Sequence, residues 1–422
     1  MRRLLEDSFR AAVAAADPLR ILGPHLPRPP RGRTLVAAAG KAAASMAAAV
    51  ERDWPSSAAL EGLAITRYRH ALPTSRIRVL EAGHPVPDEA GEAGAREILR
   101  LVGTLSRDDL LLALLSGGGS SLLSLPAEGV AMADLKSVTT QLLRCGAAIQ
   151  EINTVRKHLS AIQGGRLAAA CKAPVLALVI SDVTGDDPTH IASGPCAPDP
   201  TTFRDALEVL AKYGVQPPAA VRARLESGAA GRIAETPKPG DAVFAQVENR
   251  VVATAHRSLE AAAETFRAAG IAPAILGDTL TGEASEAAKV LAALVREVRR
   301  YRSPFVPPVA LISGGECTVT LRGEGGRGGR CSEFLLALSI ELEGMDGIHA
   351  IAADTDGIDG SEDNAGARLA PDTLARARAA GIDPRKCLAA NDSYGFFASL
   401  GDLLVTGPTL TNVNDYRAIV IV

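Results

Sequence analysis

Residues 110–122 decide the fold, and their sequence is Leu-Leu-Leu-Ala-Leu-Leu-Ser-Gly-Gly-Gly-Ser-Ser-Leu. The six apolar residues at the start are typical of a strand that is buried on both faces of a sheet. Three glycines and three hydroxyl residues follow the strand: Ser116, Gly117, Gly118, Gly119, Ser120 and Ser121. Their N–H and O–H groups predict a loop that binds phosphate or substrate. A tight strand-to-helix turn is the alternative, but such a turn needs only one glycine.

Similar apolar runs recur along the chain, at residues 35–39, 175–180, 251–255, 309–312 and 348–352. Stretches of helical periodicity lie between them, at residues 42–52, 88–101, 133–143, 203–213, 256–268 and 283–299. Alternation of strand and helix predicts an α/β fold, with a mostly parallel Rossmann-like sheet flanked by helices on both faces.

A chain of 422 residues exceeds what one hydrophobic core usually organises, so we expect two domains. Prolines and glycines interrupt the periodicity near residues 215–245. We therefore predict an N-terminal Rossmann-like domain over residues 1–235 and a C-terminal α/β domain over residues 241–422. A long surface excursion in place of a domain break fits the same composition.

The composition excludes several classes of function. A formal net charge of −3 and an aromatic content of 3% disfavour nucleic acid and anionic membranes as partners. No stretch reaches about 18 uncharged apolar residues, so we expect no membrane span. The six cysteines are scattered, as is typical of reduced thiols in a cytoplasmic protein. A small-molecule ligand is therefore favoured, and a homodimer remains open.

A second glycine-rich segment lies at residues 313–333 and places Arg327 and Arg330 among glycines, after Gly315 and Glu316. Glycines let backbone N–H groups turn toward an anion, and arginine adds a forked, permanently charged donor. This pattern predicts binding of phosphate or carboxylate. An exposed hairpin tip is the alternative interpretation.

Two further segments carry basic residues. Lys41 follows the first apolar run, where it is placed to meet an anion, although the sequence around it is not a P-loop. Asn153 and Lys157 belong to a third candidate segment, in which Arg156 also occurs. We predict that Asn153 and Lys157 bind substrate or phosphate. Each lysine is equally compatible with a solvated helix surface.

Acidic residues follow two of the apolar runs. Asp182, Asp186 and Asp187 come after residues 175–180, and Asp354 comes after residues 348–352. Carboxylates at such positions hold magnesium or accept a proton from a substrate hydroxyl. We predict Asp182 as the general base and Asp187 and Asp354 as metal ligands, with an ordinary turn as the alternative for Asp187.

The combined motifs resemble the bacterial and archaeal glycerate 2-kinases that carry a C-terminal MOFRL domain, and the resemblance covers nearly the whole chain. The motifs occur in the same order: Gly40-Lys41, residues 116–121, 153–167, 181–195, 313–316, 328–330 and 354–360. The resemblance implies a MOFRL region at residues 306–415 and an active site in an interdomain cleft. It also implies an enzyme that uses ATP and Mg²⁺ to phosphorylate the 2-hydroxyl of D-glycerate.

The resemblance assigns roles only where motifs match. Lys41 stands where the family has a functionally important lysine, and Arg330 matches the arginine of its Gly-Gly-Arg motif, so both are implied to be catalytic. The family usually continues this motif with Asn-Gln-Glu, whereas Cys331 and Ser332 replace the two amides here. This departure bears on nucleotide preference and on whether a related sugar acid replaces glycerate.

A different enzyme class is also compatible with one motif. Residues 323–328 satisfy Gly-x-Gly-x-x-Gly, the pattern of a dinucleotide-binding loop. Relatives are sometimes labelled hydroxypyruvate reductase, an NAD(P)-dependent activity. The motif lacks a long buried first strand and contains arginine, so the kinase interpretation is favoured. A non-catalytic sensor of sugar acids or nucleotides is a third interpretation.

Overall fold

The computed structural model describes residues 1–321 and 326–422. The helices are α1 (Arg2–Ala14), α2 (Pro18–Ile21), α3 (Ala43–Asp53), α4 (Glu89–Val102), α5 (Gly119–Leu122), α6 (Met132–Arg144), α7 (Ile149–His158), α8 (Arg166–Ala169), α9 (Phe203–Lys212), α10 (Ala219–Ala229), α11 (Ala255–Ala268), α12 (Ala284–Tyr301), α13 (Arg330–Leu342), α14 (Thr373–Ala379), α15 (Pro384–Ala389) and α16 (Ser393–Leu400). The strands are β1 (Thr34–Ala39), β2 (Leu60–Arg67), β3 (Ile77–Ala82), β4 (Leu110–Leu115), β5 (Val175–Ile180), β6 (Val247–Ala253), β7 (Ala272–Gly277), β8 (Gly282–Glu283), β9 (Val309–Ser313), β10 (Cys317–Thr318), β11 (Ile348–Asp354), β12 (Gly366–Leu369), β13 (Leu403–Leu404) and β14 (Asp415–Ile421).

The chain forms two compact units whose limits differ from the predicted domains. One unit is Pro18–Val252, and the other combines Met1–Asp17 with Ala253–Val422. The difference arises because α1 packs in the second unit, where Phe9 contacts Tyr416 with ring centroids 6.0 Å apart. Apolar residues of α1 share a core with α11, β11 and β14, so burial assigns this helix to the C-terminal unit.

The N-terminal unit contains a six-stranded sheet with the order β3-β2-β1-β4-β5-β6. The pairs β3–β2, β2–β1, β1–β4 and β4–β5 are all parallel, and all residues of β1, β4 and β5 are buried. The predicted α/β fold with a parallel sheet is therefore confirmed for this unit. The strand order reverses between β1 and β4, and open α/β sheets bind ligands at the carboxyl ends of strands beside such a switch point.

The C-terminal unit has a second six-stranded sheet, with the order β13-β12-β11-β14-β9-β7. Only β7 and β9 form a parallel pair in this sheet, while the other four pairs are antiparallel. The predicted C-terminal α/β domain is therefore built on a mostly antiparallel sheet. Strand β14 lies between β9 and β11 and runs antiparallel to both of them.

Helix ends follow local sequence signals. Asp88 caps α4 by accepting a hydrogen bond from Gly91 N, and Thr202 caps α9 by accepting one from Asp205 N. Such caps satisfy N–H groups that have no partner within the helix.

Among the described residues, no helix combines the length and apolar character needed to cross a bilayer.

The close packing of β1 against β2 predicts a steric limit at Gly62. A Cβ atom there would lie 2.3 Å from the carbonyl oxygen of Val36 and 2.7 Å from its Cβ. We expect Gly62→Ala to destabilise the N-terminal unit by about 1–3 kcal/mol, because the added methyl forces the strands apart. Differential scanning calorimetry should show a melting temperature lower by several degrees.

Gly103→Ala provides the matched control. Gly103 has φ −63°, and the nearest atom to its added Cβ is 3.5 Å away. This change should leave stability unchanged or raise it by about 0.4–1 kcal/mol, since it restricts the unfolded chain. Equal melting temperatures for the two variants would contradict the steric argument.

Candidate active site

The loops after β1 and β4 are interlocked at the switch point of the N-terminal sheet. Lys41 N donates a hydrogen bond to Gly117 O at 2.8 Å, and Ala42 N donates to Ser116 Oγ at 3.0 Å. Gly40 has φ +133°, and a Cβ there would lie 2.1 Å from Ser116 Oγ. Lys41 is therefore held at the predicted position beside the glycine-rich loop. The buried Ser116 hydroxyl joins the two loops, so it has a structural role here.

His84 lies beside Lys41 and was missed by the sequence analysis. Gly118 has φ +80°, and a Cβ there would lie 2.9 Å from His84 Nε2 and 3.3 Å from Lys41 Cγ. Burial lowers the pKa of His84 to about 3, with a further contribution from the positive charges of Lys41 and Arg67. The imidazole is therefore neutral at physiological pH. His84 lies two residues beyond β3, which is partly exposed, so no continuous apolar run marked this loop.

The other side of the glycine-rich loop contacts a polar cluster. Ser120 Oγ lies 2.8 Å from Ser193 Oγ, and Ser193 Oγ donates to Asn153 Oδ1 at 3.1 Å. Arg156 Nη1 donates to the same Asn153 oxygen at 2.6 Å. A Cβ on Gly119 would lie 2.6 Å from the Cβ of Ala192. The predicted residues Ser120 and Asn153 are thus brought together through Ser193, which the sequence analysis did not name.

The structure gives Lys157 a different role from the predicted one. Its Nζ lies 3.2 Å from Asp199 Oδ1, and the two side chains are 1% and 0% exposed. Burial alone raises the pKa of Asp199, but the charge of Lys157 and hydrogen bonds from Thr201 outweigh this effect and lower it. Lys157 faces the inside of the unit from α7, whereas its neighbour Arg156 faces the polar cluster. Lys157 is therefore a structural ion-pair residue.

The acidic residues after β5 occupy different environments. Asp182 is partly buried directly beyond the strand, and Asp187 is exposed. Asp187 Oδ1 accepts a hydrogen bond from Thr189 N at 2.8 Å, which is the turn geometry considered as its alternative role. Within residues 1–321 and 326–422, no group of three or more His, Cys, Asp or Glu residues is arranged to hold a metal.

In the C-terminal unit, Arg330 is oriented by two carboxylates. Its Nη2 lies 2.6 Å from Asp354 Oδ2 and its Nε lies 2.7 Å from Asp415 Oδ1. Burial by itself lowers the pKa of Arg330, but Asp354, Asp415 and Glu316 outweigh that effect and raise the pKa well above its usual value. The side chain is 20% exposed, and its Nη1 has no hydrogen-bond partner among the described residues. Arg330 is a fixed, permanently charged donor.

Asp354 and Asp415 are adjacent because β11 and β14 pair in register at these two residues. Asp415 Oδ2 also contacts the buried Arg417, and Asp354 Oδ1 accepts a hydrogen bond from Asp356 N at 3.0 Å. The carboxylate of Asp354 was predicted as a metal ligand, but in the structure it is an ion-pair partner of Arg330.

The residues after Arg330 begin helix α13 and bind a buried carboxylate. Cys331 N and Ser332 N donate to Asp359 at 2.9 and 2.8 Å, and Ser332 Oγ donates at 2.6 Å. Burial raises the pKa of Asp359 to about 6, although these donors oppose the increase. Ser332 thus supplies a hydroxyl donor at one of the positions where the family usually has an amide.

The remaining predicted residues lie close to this cluster. Glu316 is exposed, with Oε1 3.6 Å from Arg330 Nη2, and Gly315 adopts φ +104°. Arg327 is exposed and lies over the ring of Tyr394, 5.0 Å from its centroid. The predicted dinucleotide motif at residues 323–328 lies partly outside the described residues, because residues 322–325 are not among them.

Comparison with known proteins matches two segments of this chain to known families. Residues 4–226 match a family model described as a domain of unknown function, DUF4147, and residues 309–415 match the MOFRL family. A glycerate 2-kinase of Pyrococcus horikoshii is 42% identical over 91% of this chain and 86% of its own length. The chain belongs to the glycerate 2-kinase family.

Two other relatives of this glycerate 2-kinase family member are informative. The crystal structure of glycerate kinase from Thermotoga maritima matches with a TM-score of 0.87 and 40% identity, covering 100% of this chain and 99% of that chain. A protein of Agrobacterium vitis named putative hydroxypyruvate reductase is 53% identical over 100% of this chain and 94% of its own length. Both names that the sequence analysis considered therefore occur among its relatives.

The Lys157 ion pair leads to a stability prediction for this family member. Lys157→Ala leaves the Asp199 carboxylate buried without its partner, and we expect a loss of about 3–5 kcal/mol in the free energy of unfolding. Urea denaturation followed by circular dichroism measures this loss. The KM values of the folded fraction should not change, because Lys157 does not reach the polar cluster.

Lys212→Ala is the matched control, since Lys212 forms an exposed ion pair with Glu151 at 2.7 Å. Its removal should change stability by less than about 1 kcal/mol. If Lys157→Ala instead raises a KM strongly with little loss of stability, then the residue binds a ligand as the sequence predicted.

Proposed function

We propose that this chain is an ATP- and magnesium-dependent kinase that phosphorylates the 2-hydroxyl of D-glycerate. The observation that carries the proposal is the position of Lys41, held beside the glycine-rich loop at the switch point of the parallel sheet. The glycerate kinase names of relatives across nearly the full chain support it. A glycerate kinase requires an ATP-type phosphoryl donor and a small-molecule acceptor.

In this proposal the protein positions the two reactants and stabilises the negative charge of the transferred phosphoryl group. The 2-hydroxyl oxygen of glycerate forms a bond to the γ-phosphorus of ATP, the bond from that phosphorus to the bridging oxygen breaks, and ADP leaves. Asp182 accepts the hydroxyl proton in this proposal. Charge spreads over the phosphoryl oxygens in the transition state, so Lys41 and Arg330 act as positive donors toward them.

Magnesium fits this site as a companion of the nucleotide. Mg²⁺ usually keeps several waters and is bound by substrate phosphates together with one or two carboxylates, so it does not need a cage of protein ligands. Asp187, the exposed carboxylate after β5, is the residue that would hold it. When bound, the ion neutralises phosphate charge during transfer.

Hydroxypyruvate reduction is the second candidate, because the Agrobacterium vitis relative carries that name. The order of the N-terminal sheet is also one that binds dinucleotides in other proteins. Reduction would consume NADH or NADPH and require no ATP. The two functions therefore differ in the cofactor that is consumed.

We predict that ATP, Mg²⁺ and D-glycerate yield ADP and 2-phosphoglycerate, and that EDTA abolishes the reaction. Coupled detection of ADP measures the rate, and ³¹P NMR distinguishes the 2-phosphate from the 3-phosphate. The matched assay supplies hydroxypyruvate and NADH without ATP, and we expect no oxidation of NADH. Steady NADH oxidation that depends on hydroxypyruvate would refute the kinase proposal.

A second prediction concerns Arg330. Its partners Asp354 and Asp415 are buried, so Arg330→Ala would remove the arginine that pairs with Asp354, whereas Asp415 would keep Arg417. Arg330→Lys keeps the charge and loses the planar fork. We expect kcat to fall at least about a hundredfold, since arginine stabilises the transferred phosphoryl group in comparable systems by about 10³–10⁵ in rate.

Arg378→Lys is the control for this variant, because Arg378 is an exposed residue of α14. It should leave kcat unchanged. Circular dichroism should show that both variants retain the wild-type melting temperature within a few degrees. A kcat near the wild-type value in a folded Arg330→Lys protein would restrict Arg330 to a structural role.

A further inference from the structure

Arg156 is a partly buried arginine that has no acidic partner. Its Nη1 donates to Asn153 Oδ1 at 2.6 Å and to Ser193 Oγ at 3.4 Å, and both acceptors are neutral. Burial lowers the pKa of Arg156 to about 10, and no nearby charge contributes to the shift. Within the part of the chain that the structure describes, no carboxylate forms an ion pair with this guanidinium.

Other partly buried arginines of the chain are compensated. Arg330 lies between Asp354 and Asp415, and Arg376 Nη2 lies 2.5 Å from Asp402 Oδ2. Arg166 has no carboxylate contact, but its Nη1 donates to the carbonyl of Lys157 at 2.7 Å and to that of Gln163 at 3.4 Å. Arg330 and Arg376 therefore have carboxylate partners, and Arg166 has backbone carbonyl acceptors.

The donors of Arg156 are not satisfied in this way. A guanidinium has five N–H groups in a rigid fork, and only Nη1 of Arg156 has a partner among the described residues. Its Nε and Nη2 are absent from the set of fully buried polar atoms that lack a partner, so they retain contact with solvent. An uncompensated, partly desolvated charge is costly in a folded protein. A ligand that brings negative charge would remove this cost.

The location of Arg156 connects it to the candidate active site. Its acceptor Ser193 Oγ lies 2.8 Å from Ser120 Oγ, and Ser120 belongs to the glycine-rich loop that also contacts Lys41. Arg156 is thus linked to this loop through Ser193, whereas Lys41 and His84 lie near Gly118 of the same loop. The neutral hydroxyls and the amide around it leave its charge available to a ligand.

We propose that Arg156 binds an oxyanion group of a reactant and is a specificity-determining residue of this site. The planar fork of arginine fits carboxylate and phosphate oxygens with two parallel hydrogen bonds. Two reactants of the proposed reaction offer this chemistry: the carboxylate of the acceptor acid and a phosphate of the nucleotide. The inference rests on the proposed function for the identity of the reactant, whereas the binding of an oxyanion does not depend on it.

The test compares Arg156→Gln with Arg166→Gln. Both side chains are partly buried in the N-terminal unit, and burial lowers the pKa of each to about 10. Steady-state kinetics with D-glycerate and ATP varied in turn separates the two reactants. We expect Arg156→Gln to raise one KM about 10- to 100-fold, which is the effect of losing a hydrogen bond between charged groups. An increase for glycerate assigns the carboxylate, and an increase for ATP assigns a phosphate.

Stability distinguishes a binding role from a structural one. Arg156→Gln removes an uncompensated charge, so its melting temperature should equal or exceed that of the wild type. Arg166→Gln removes a donor to two backbone carbonyls, so its melting temperature should fall while both KM values stay within about threefold. A lower melting temperature for Arg156→Gln together with unchanged KM values would overturn the proposal.

A binding measurement tests the role of Arg156 independently of the proposed reaction. D-glycerate, ATP and inorganic phosphate are each added at increasing concentration, and the melting temperature of the full chain is recorded. A ligand that binds only the folded protein raises its melting temperature. We expect at least one of these oxyanions to stabilise the wild type and Arg166→Gln, and to stabilise Arg156→Gln much less.

The activity and melting-temperature measurements together distinguish failure of the proposed function from failure of the proposed role of Arg156. If the wild type shows no kinase activity but is stabilised by an oxyanion through Arg156, then the proposed function fails and the binding site stands. If every oxyanion stabilises Arg156→Gln as much as the wild type, or stabilises neither protein, then Arg156 is not an oxyanion-binding residue.

Discussion

The close approach of Gly40 to Ser116 is the constraint on which the N-terminal site depends. The backbones after β1 and β4 meet so closely that no side chain fits at residue 40, and two hydrogen bonds join them there. This contact sets Lys41 beside the glycine-rich loop. The same loop then holds His84 near Gly118 and contacts Ser193 through Ser120. One steric requirement thus determines the positions of several polar groups at the carboxyl ends of the strands.

Arg330 and Arg156, one in each unit, differ in how their charge is compensated. In the C-terminal unit, Arg330 and Arg417 share the carboxylate of Asp415, and Asp354 completes the set. Each charge there has a protein partner, so the arginine is held in one orientation. In the N-terminal unit, Arg156 has only neutral partners. The first arrangement favours a preorganised donor, and the second favours a residue whose counter-ion arrives with a ligand.

The fold was predictable where both faces of a strand are buried. Strands β4 and β5 have the predicted limits because their apolar runs are uninterrupted. Strand β14 was not predicted, because it contains Asp415 and Arg417 although every residue in it is buried. Asp415 also pairs with Arg330, which is 85 residues away in the sequence, and no local pattern shows this. The antiparallel pairing of β14 was hidden for the same reason.

The candidate site was predictable where glycine, lysine and arginine occur in loops after strands, as at Lys41 and Arg330. The sequence could not tell which of the adjacent residues Arg156 and Lys157 faces inward, because both lie in the last turn of α7. That distinction depends on Asp199, which is 42 residues away from Lys157 in the sequence. Long-range electrostatic partners decided the roles that local motifs left open.

The assignment of α1 to the C-terminal unit has a consequence for synthesis of the chain. Helix α1 ends at Ala14 and packs against α11, which begins at Ala255, so its partner emerges from the ribosome about 240 residues later. At typical rates of about 5–20 residues per second, the apolar face formed by Leu5, Phe9 and Ala12 waits on the order of tens of seconds for its core. Helix α1 is therefore made long before it is buried, and its amphipathic surface is available to chaperones throughout translation of the N-terminal unit.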